Sequence, residues 1–367
     1  MPSLDSMEDL SSGTTTMMAQ NMSKHVAASA LGCTQAVLDF EPSVFEFFRA
    51  LGLAGWLLLG VATVAFLAIL IMFFELLAHV LKHTHKRHRS ATVCVITVYP
   101  VLGLCAYLGL LFQKANTFLD AAAQLWFALC MWQFLVLTLS YFGGEKRFEA
   151  AAEAKDLRMG WEVYVPPFTC CVPCCKKCCP THAATRKQLR LVKTMVVQHP
   201  WLQAILSIIM LTLWIEGWYT HMSLSPYNGY LYIYLISNFS FGSALWAFIV
   251  AFRTSLSQLQ DFYFTPKIIT FQLCLVFLRL QALIVNSILV PAGAIPCLPP
   301  ISPKVFANTL LNSLLLGQLV ILIVVARVYY KLPTPEILTF DTKKDNKTDF
   351  IQDCQDEKIV IRTHIQN

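Results

Sequence analysis

ALGLAGWLLLGVATVAFLAILIMFF, the stretch from Ala50 to Phe74, contains no charged side chain and only one hydroxyl group. At 1.5 Å per residue, a helix of this length is longer than the hydrocarbon core of a bilayer, which is about 30 Å thick. Six comparable apolar stretches follow along the chain. We therefore predict an all-α integral membrane protein with seven transmembrane helices, near 50–77, 92–112, 119–142, 195–216, 229–252, 267–290 and 305–329.

The overall composition supports the same class of protein. Of the 367 residues, 56% are hydrophobic and 14% are charged, whereas soluble domains contain about 25% charged residues. This excludes a soluble protein, and nucleic acid is not an expected partner. No basic segment followed by an apolar core opens the chain, so we expect no cleavable signal peptide and predict that the first transmembrane helix directs insertion.

The distribution of lysine and arginine predicts the orientation in the membrane. The first connection, Lys82–Arg89, contains four of these residues and the third contains ten. The second connection contains only Lys114, the fourth none and the sixth Lys304. Short basic connections stay on the cytoplasmic side during insertion. We therefore predict that the N-terminus lies outside and the C-terminus in the cytoplasm.

Three regions follow from this orientation. Residues 1–45 form an extracellular and mostly disordered tail, with a glycosylation acceptor pattern at Asn21. Residues 46–331 form the membrane domain, which includes a cysteine-rich cytoplasmic loop over 143–194, and residues 332–367 form a disordered cytoplasmic tail. Cys33 and Cys297 both lie on the predicted outer side. That compartment is oxidising, so the two could form a disulfide.

The third connection contains six of the chain's 13 cysteines within ten residues. Structural disulfides are not expected there, because the cytoplasm keeps thiols reduced. Zinc binding is an alternative, since Cys-x2-Cys spacing recurs, but structural zinc sites separate their ligand pairs by about a dozen residues and these pairs are contiguous. S-acylation fits better, because the cysteines are juxtamembrane and basic neighbours attract anionic headgroups. Unmodified thiols are the remaining alternative. The six are Cys170, Cys171, Cys174, Cys175, Cys178 and Cys179.

Polar residues within the spans are candidates for a substrate path. In the sixth segment, Gln272, Arg279 and Asn286 follow one another at seven-residue intervals, which places them on one face of a regular α-helix. A charge in mid-membrane must face protein or water, so Arg279 requires a carboxylate partner or an anionic ligand. Glu75, Asp120 and Glu216 are the candidate partners, and a structural ion pair is the alternative to a ligand contact. The candidate path consists of Gln272, Arg279, Gln281, Asn286, Asn238, Asn308 and Asn312.

Several short stretches are informative through their order and spacing along the chain. Tyr141-Phe142-Gly143-Gly144-Glu145 precedes the cysteine-rich loop, and Thr185-Arg186-Lys187-Gln188-Leu189 follows it. The sixth connection contains Cys297-Leu298-Pro299-Pro300, and the seventh segment ends Arg327-Val328-Tyr329-Tyr330-Lys331. With these features the chain resembles the organic solute transporter alpha family, which also includes the transmembrane-184 proteins, over roughly residues 45–331.

The resemblance implies passive, bidirectional transport of steroid-derived anions such as bile acids and conjugated sterols. It also implies palmitoylation of the six clustered cysteines, a location in the plasma membrane or also in endomembranes, and a single-span beta-type partner subunit. Membrane lipids and a second copy of the chain are further expected partners.

Two other functions stay open, a non-transporting scaffold in lipid or protein trafficking and a heptahelical receptor. The receptor is weakened because neither an Asp/Glu-Arg-Tyr after the third segment nor an Asn-Pro-x-x-Tyr in the seventh occurs. An enzyme is not expected, since the segments contain no paired acids or metal-ligand set. We expect no metal and no cofactor.

Overall fold

The computed structural model describes residues 43–153, 158–159, 182–183, 186–219, 226–256, 259, 262–290, 292, 294–295 and 301–333. This part of the chain is almost entirely helical, as predicted. Its helices are α1 (Val44–His83), α2 (Lys86–Ile96), α3 (Val98–Leu111), α4 (Asn116–Tyr141), α5 (Glu145–Glu153), α6 (Arg186–Ile215), α7 (Gly229–Leu256), α8 (Phe264–Leu275), α9 (Gln281–Ile284) and α10 (Pro303–Lys331). A short 3-10 helix, Gln113–Ala115, precedes α4.

Seven of the described helical stretches are long and apolar enough to cross a membrane, which confirms the predicted number. They are referred to below as the first to seventh spans. Several are longer than the predicted segments, because helical structure continues beyond the apolar core into polar residues. The spans are Val44–His83, Lys86–Leu111, Gln113–Tyr141, Lys187–Ile215, Gly229–Leu256, Phe264–Ile284 and Pro303–Lys331.

The centre of the bundle is aromatic. The ring of Phe134 in the third span lies 5.7 Å from that of Phe248, 5.8 Å from that of Phe264 and 5.3 Å from that of Phe271. All four side chains are buried. Ring pairs at this separation add about 0.5–1.5 kcal/mol each beyond their buried area. They hold the third, fifth and sixth spans together.

One end of the bundle, which we call the basic end, is where the first span finishes and the second begins. The side chain of Glu75 accepts hydrogen bonds from Arg327 at 2.6 Å and from Lys331 at 2.5 Å, which ties the first span to the seventh. The side chain of Arg87 donates to the backbone carbonyl of Gly143 just after the third span. The charge pattern predicts that this end is cytoplasmic.

The segment that contains the six clustered cysteines is closed by a short backbone pairing. Arg158–Met159 (β1) and His182–Ala183 (β2) are antiparallel, with Arg158 opposite Ala183. The two ends of the intervening segment therefore lie side by side. The cysteines themselves lie outside the described residues, as do Asn21, Cys33 and Cys297, so acylation, glycosylation and the disulfide stay predictions.

The sixth span differs from the regular α-helix assumed from its sequence. Residues Val276–Leu280 and Val285–Leu289 are π-helical. The backbone N–H of Gln281 bonds to the carbonyl of Val276, and that of Val290 to the carbonyl of Val285 at 3.0 Å, five residues back in each case. Each π turn contains one more residue than an α turn. Seven-residue spacing in this span therefore no longer places side chains directly above one another.

Candidate functional site

Arg279 lies in the first π turn of the sixth span, just past the middle of the helical stretch from Phe264 to Leu289. Its guanidinium carbon lies 4.9 Å from the centre of the Phe241 ring in the fifth span. A cation in this position is attracted by the electron-rich face of the ring. The side chain is therefore directed into the protein, as a charge inside a bilayer requires.

Asp120 in the third span is the carboxylate that interacts with Arg279. The two side chains influence each other electrostatically but form no direct ion pair. Of the other candidate partners, Glu75 is bonded to Arg327 and Lys331 at the basic end, and Glu216 is exposed beyond the fourth span. Because Arg279 and Asp120 form no direct ion pair, the guanidinium stays available to an anionic ligand.

A short hydrogen-bond relay fixes Asp120 in place. The amide nitrogen of Asn116 donates to the Asp120 carboxylate at 3.2 Å. The amide nitrogen of Asn312 in the seventh span donates to the Asn116 side-chain oxygen at 3.0 Å. Asn116 and Asp120 are one helical turn apart, which brings their side chains together. The relay therefore links the seventh span, through the third, to the charge on the sixth.

The fourth span contributes the other side of the cluster. His199 interacts electrostatically with Arg279, and its Nδ1 lies 3.1 Å from the hydroxyl oxygen of Ser240. One turn further, the Gln203 side-chain oxygen accepts a hydrogen bond from Ser237 at 2.9 Å. The Gln203 amide nitrogen lies 3.5 Å from the side-chain oxygen of Gln124 in the third span. These bonds hold the fourth span against the third and fifth by polar contacts.

The predicted path residues fall into four groups. Arg279 and Asn312 belong to the cluster just described. Asn238 donates to the backbone carbonyl of Tyr234 on its own helix at 2.7 Å, a local bond that needs no ligand. The side-chain oxygens of Gln281 and Asn286 are buried without a hydrogen-bond partner among the described residues. Gln272 and Asn308 are half-buried.

Sequence reasoning missed four members of the cluster: Asn116, Gln124, His199 and Gln203. Asn116 lies outside the third segment predicted from the sequence, which begins at 119. His199 and Gln203 are one turn apart within an apolar run, and Pro200 follows His199. Polar residues at that spacing share one helical face, and this pattern was the available signal.

The arrangement offers groups that can bind a polar or charged ligand. It offers one guanidinium, one carboxylate and several neutral donors and acceptors, contributed by five spans. Among the described residues, no group of three or more His, Cys, Asp or Glu side chains is placed to hold a metal ion.

Burial raises the pKa of Tyr219, which follows the fourth span near Asp120, so its hydroxyl stays protonated and can donate at neutral pH.

Comparison with known proteins then relates the chain to transporters. The family described as Organic solute transporter Ostalpha matches residues 55–335. The chain is 26% identical over 307 residues to "Organic solute transporter subunit alpha" of Danio rerio, covering 84% of this chain and 91% of the relative. The Homo sapiens protein of the same name is 26% identical over 307 residues, with 82% and 86% covered. The Mus musculus protein is 27% identical over 297 residues, with 81% and 85% covered. No solved structure matches the chain.

Proposed function

The chain belongs to the organic solute transporter alpha family, and on that premise we propose that it is a subunit of a passive transporter for steroid-derived organic anions. The proposal rests on one observation above all. Arg279 is held inside a seven-span bundle, among polar side chains from the third, fourth, fifth and seventh spans, without a direct ion pair.

The surroundings of Arg279 favour an amphipathic anion. The guanidinium can form charge-assisted hydrogen bonds to a carboxylate or sulfate. Phe241 stacks against the cation and offers an apolar surface to the body of the ligand. Elsewhere on the sixth span, Gln281 and Asn286 have buried amide oxygens with unused acceptor capacity, which suits hydroxyl groups on a sterol ring system.

A second subunit and a location complete the proposal. The relatives are named as alpha subunits, which supports a partner, and we infer that it is a single-span beta-type subunit. We also infer that the protein spans the plasma membrane with its N-terminus outside, as the distribution of Lys and Arg between the spans indicates.

The direct test is uptake of a tritiated steroid sulfate into vesicles that contain the purified protein, alone and with a candidate single-span partner. We expect saturable, bidirectional flux in at least one of the two arrangements. If correctly inserted protein supports no flux in either, the chain is not a transporter of these anions and the scaffold interpretation is favoured.

Arg279→Ala tests the residue that the proposal depends on. Hydrogen bonds to a charged group contribute about 1.5–3 kcal/mol, so its loss should lower Vmax/KM by roughly 10- to 100-fold. Arg279→Lys keeps the charge and should retain part of the activity. Arg253→Ala removes an exposed arginine near the C-terminal end of the fifth span, 12 residues from Phe241. This variant should leave flux unchanged. Reduced protein abundance with unchanged flux per molecule would instead assign Arg279 a purely structural role.

A further inference from the structure

Lys267 begins the sixth span at the basic end, within the first turn of α8. Its side chain is 3% exposed, and it is the one lysine or arginine classed as buried in the part of the chain that the structure describes. Long cationic side chains near helix ends normally extend to the membrane surface. Lys267 does the opposite and stays inside the bundle.

The Lys267 ammonium has few partners for a buried charge. It donates one hydrogen bond, to the backbone carbonyl of Phe262 at 3.0 Å. It lies 5.7 Å from the centre of the Tyr141 ring and 5.3 Å from that of the Tyr330 ring. None of the described carboxylates lies within ion-pair distance of it. An ammonium has three donors, so two remain for another acceptor.

Among the described residues, the carboxylates Glu75, Glu145 and Glu149 at the basic end each have a cationic partner. Glu75 is bonded to Arg327 and Lys331, at 2.6 and 2.5 Å. Glu145 is bonded to Lys193 at 2.6 Å, and Glu149 lies 3.7 Å from Arg190. Within the described part of the chain, Lys267 is therefore a buried positive charge without a counter-charge. A buried charge without a counter-charge is costly.

A second unsatisfied group lies beside this ammonium. Tyr330 is 6% exposed, and its hydroxyl is buried with no hydrogen-bond partner among the described residues. Phe262 and Tyr141 are also buried, so the polar donors are surrounded by aromatic surface. An ammonium and a phenol hydroxyl together, set among rings, fit an oxyanion attached to an apolar body.

We propose that Lys267 and Tyr330 form a second anion-binding site, at the basic end, for the same amphipathic anions that Arg279 binds. This inference rests on the proposed transport function and adds a second position on the path. The two cations are on one span, 12 residues apart, which corresponds to roughly 18 Å along the helix. Two sites of moderate affinity allow a ligand to enter the path and also to leave it, as transport requires.

The test measures flux from each end of the bundle separately, in vesicles of neutral phosphatidylcholine with the protein in a known orientation. In Lys267→Met we expect KM for a tritiated steroid sulfate presented at the basic end to rise about tenfold, the loss of one charge-assisted bond, with Vmax unchanged. A passive carrier cannot concentrate its substrate, so without a membrane potential Vmax/KM must stay equal in both directions. From the opposite end, Vmax should therefore fall about tenfold while KM is unchanged.

A purely structural role for Lys267 gives a different result. Fewer active molecules would lower Vmax equally from both ends and leave both KM values unchanged, which would overturn the proposal. Lys267→Arg keeps a cation and should stay within about threefold of the wild-type KM. Lys114→Met, an exposed lysine at the opposite end, is the matched control and should change neither constant.

Tyr330→Phe removes one hydroxyl and keeps the ring, so it gives a second test if Lys267→Met fails to insert. We expect a KM increase of about threefold at the basic end, and an unchanged KM would overturn the proposal. Adding phosphatidylserine separates the transported anion from a lipid phosphate. A rise in wild-type KM with this lipid that Lys267→Met abolishes would assign the site to a headgroup instead. Absence of flux in the wild type would overturn the proposed function itself.

Discussion

Gly109 in the second span lies directly beside side chains of the third and seventh spans. A Cβ atom at this position would lie 2.6 Å from the Asn312 amide nitrogen and 2.7 Å from the Asn116 side-chain oxygen. These are the two atoms that form the bond between the seventh and third spans. The relay to Asp120 therefore depends on a residue that has no side chain of its own.

Gly109→Ala should break that bond. Interhelical hydrogen bonds in membranes contribute about 0.6 kcal/mol on average, and inserting a methyl group into a packed site costs about 1–3 kcal/mol. We expect a lower apparent melting temperature of the purified protein and reduced steroid sulfate flux, because Asp120 loses its support. Gly317→Ala is the control, since nothing lies within 4 Å of a Cβ at that position. It should be neutral or stabilising, by up to about 1 kcal/mol, and equal losses in both variants would contradict the argument.

At the scale of elements, the turn before the sixth span is strained. Tyr263 has φ 50 and ψ 39, in the left-handed region, and is the only non-glycine residue with positive φ among the described residues. This conformation costs an ordinary L-residue roughly 1–2 kcal/mol. Its neighbour Phe262 supplies the carbonyl that accepts from Lys267. The lysine therefore also helps to hold the strained turn that starts the sixth span.

Replacing Tyr263 should reveal that strain. Asparagine tolerates the left-handed region better than alanine does, and Tyr263 is 41% exposed, so little packing is lost in either variant. We expect Tyr263→Asn to be more stable than Tyr263→Ala by about 0.5–1 kcal/mol, measured as the difference in apparent melting temperature. If the two variants melt together, the backbone is not strained at this position.

The sequence predicts the spans well and their lateral contacts poorly, for a physical reason. A hydrocarbon core of fixed thickness selects apolar runs of about 20 residues, and such runs are visible without any partner. The pairing of His199 with Ser240, or of Gln203 with Ser237, depends on how two spans are rotated against each other. Rotation about the helix axis leaves no trace in the length or hydrophobicity of a span.

At the scale of the whole molecule, the basic end contains Lys267, the ion pairs of Glu75 and the strands that close the cysteine-rich segment. With seven spans, the start of the first at Val44 and the end of the seventh at Lys331 lie at opposite ends of the bundle. Which end faces the cytoplasm follows only from the charge pattern, and it stays a prediction. Acylation of the six cysteines depends on that orientation, because acyl chains are added to juxtamembrane cysteines of cytoplasmic loops.

Acyl-exchange labelling tests that prediction on the intact protein. We expect strong labelling of the wild type and almost none when the six clustered cysteines are replaced by serine. The control replaces the four cysteines that the structure places inside the spans, and it should keep full labelling. Undiminished labelling of the six-serine variant would show that the acyl groups are elsewhere. The four control residues are Cys94, Cys105, Cys130 and Cys274.

The two π turns are local irregularities in the otherwise regular sixth span, as dislocations are in a crystal. A dislocation moves through a lattice by exchanging one neighbour at a time, and a π turn can move along a helix in the same manner, trading one i→i+5 hydrogen bond for an i→i+4 bond. The rest of the helix stays bonded throughout. Each step turns the side chains it passes about the helix axis, here including Arg279 and Asn286. A shift of this kind would redirect the Arg279 side chain while the backbone stays hydrogen-bonded, as a membrane requires.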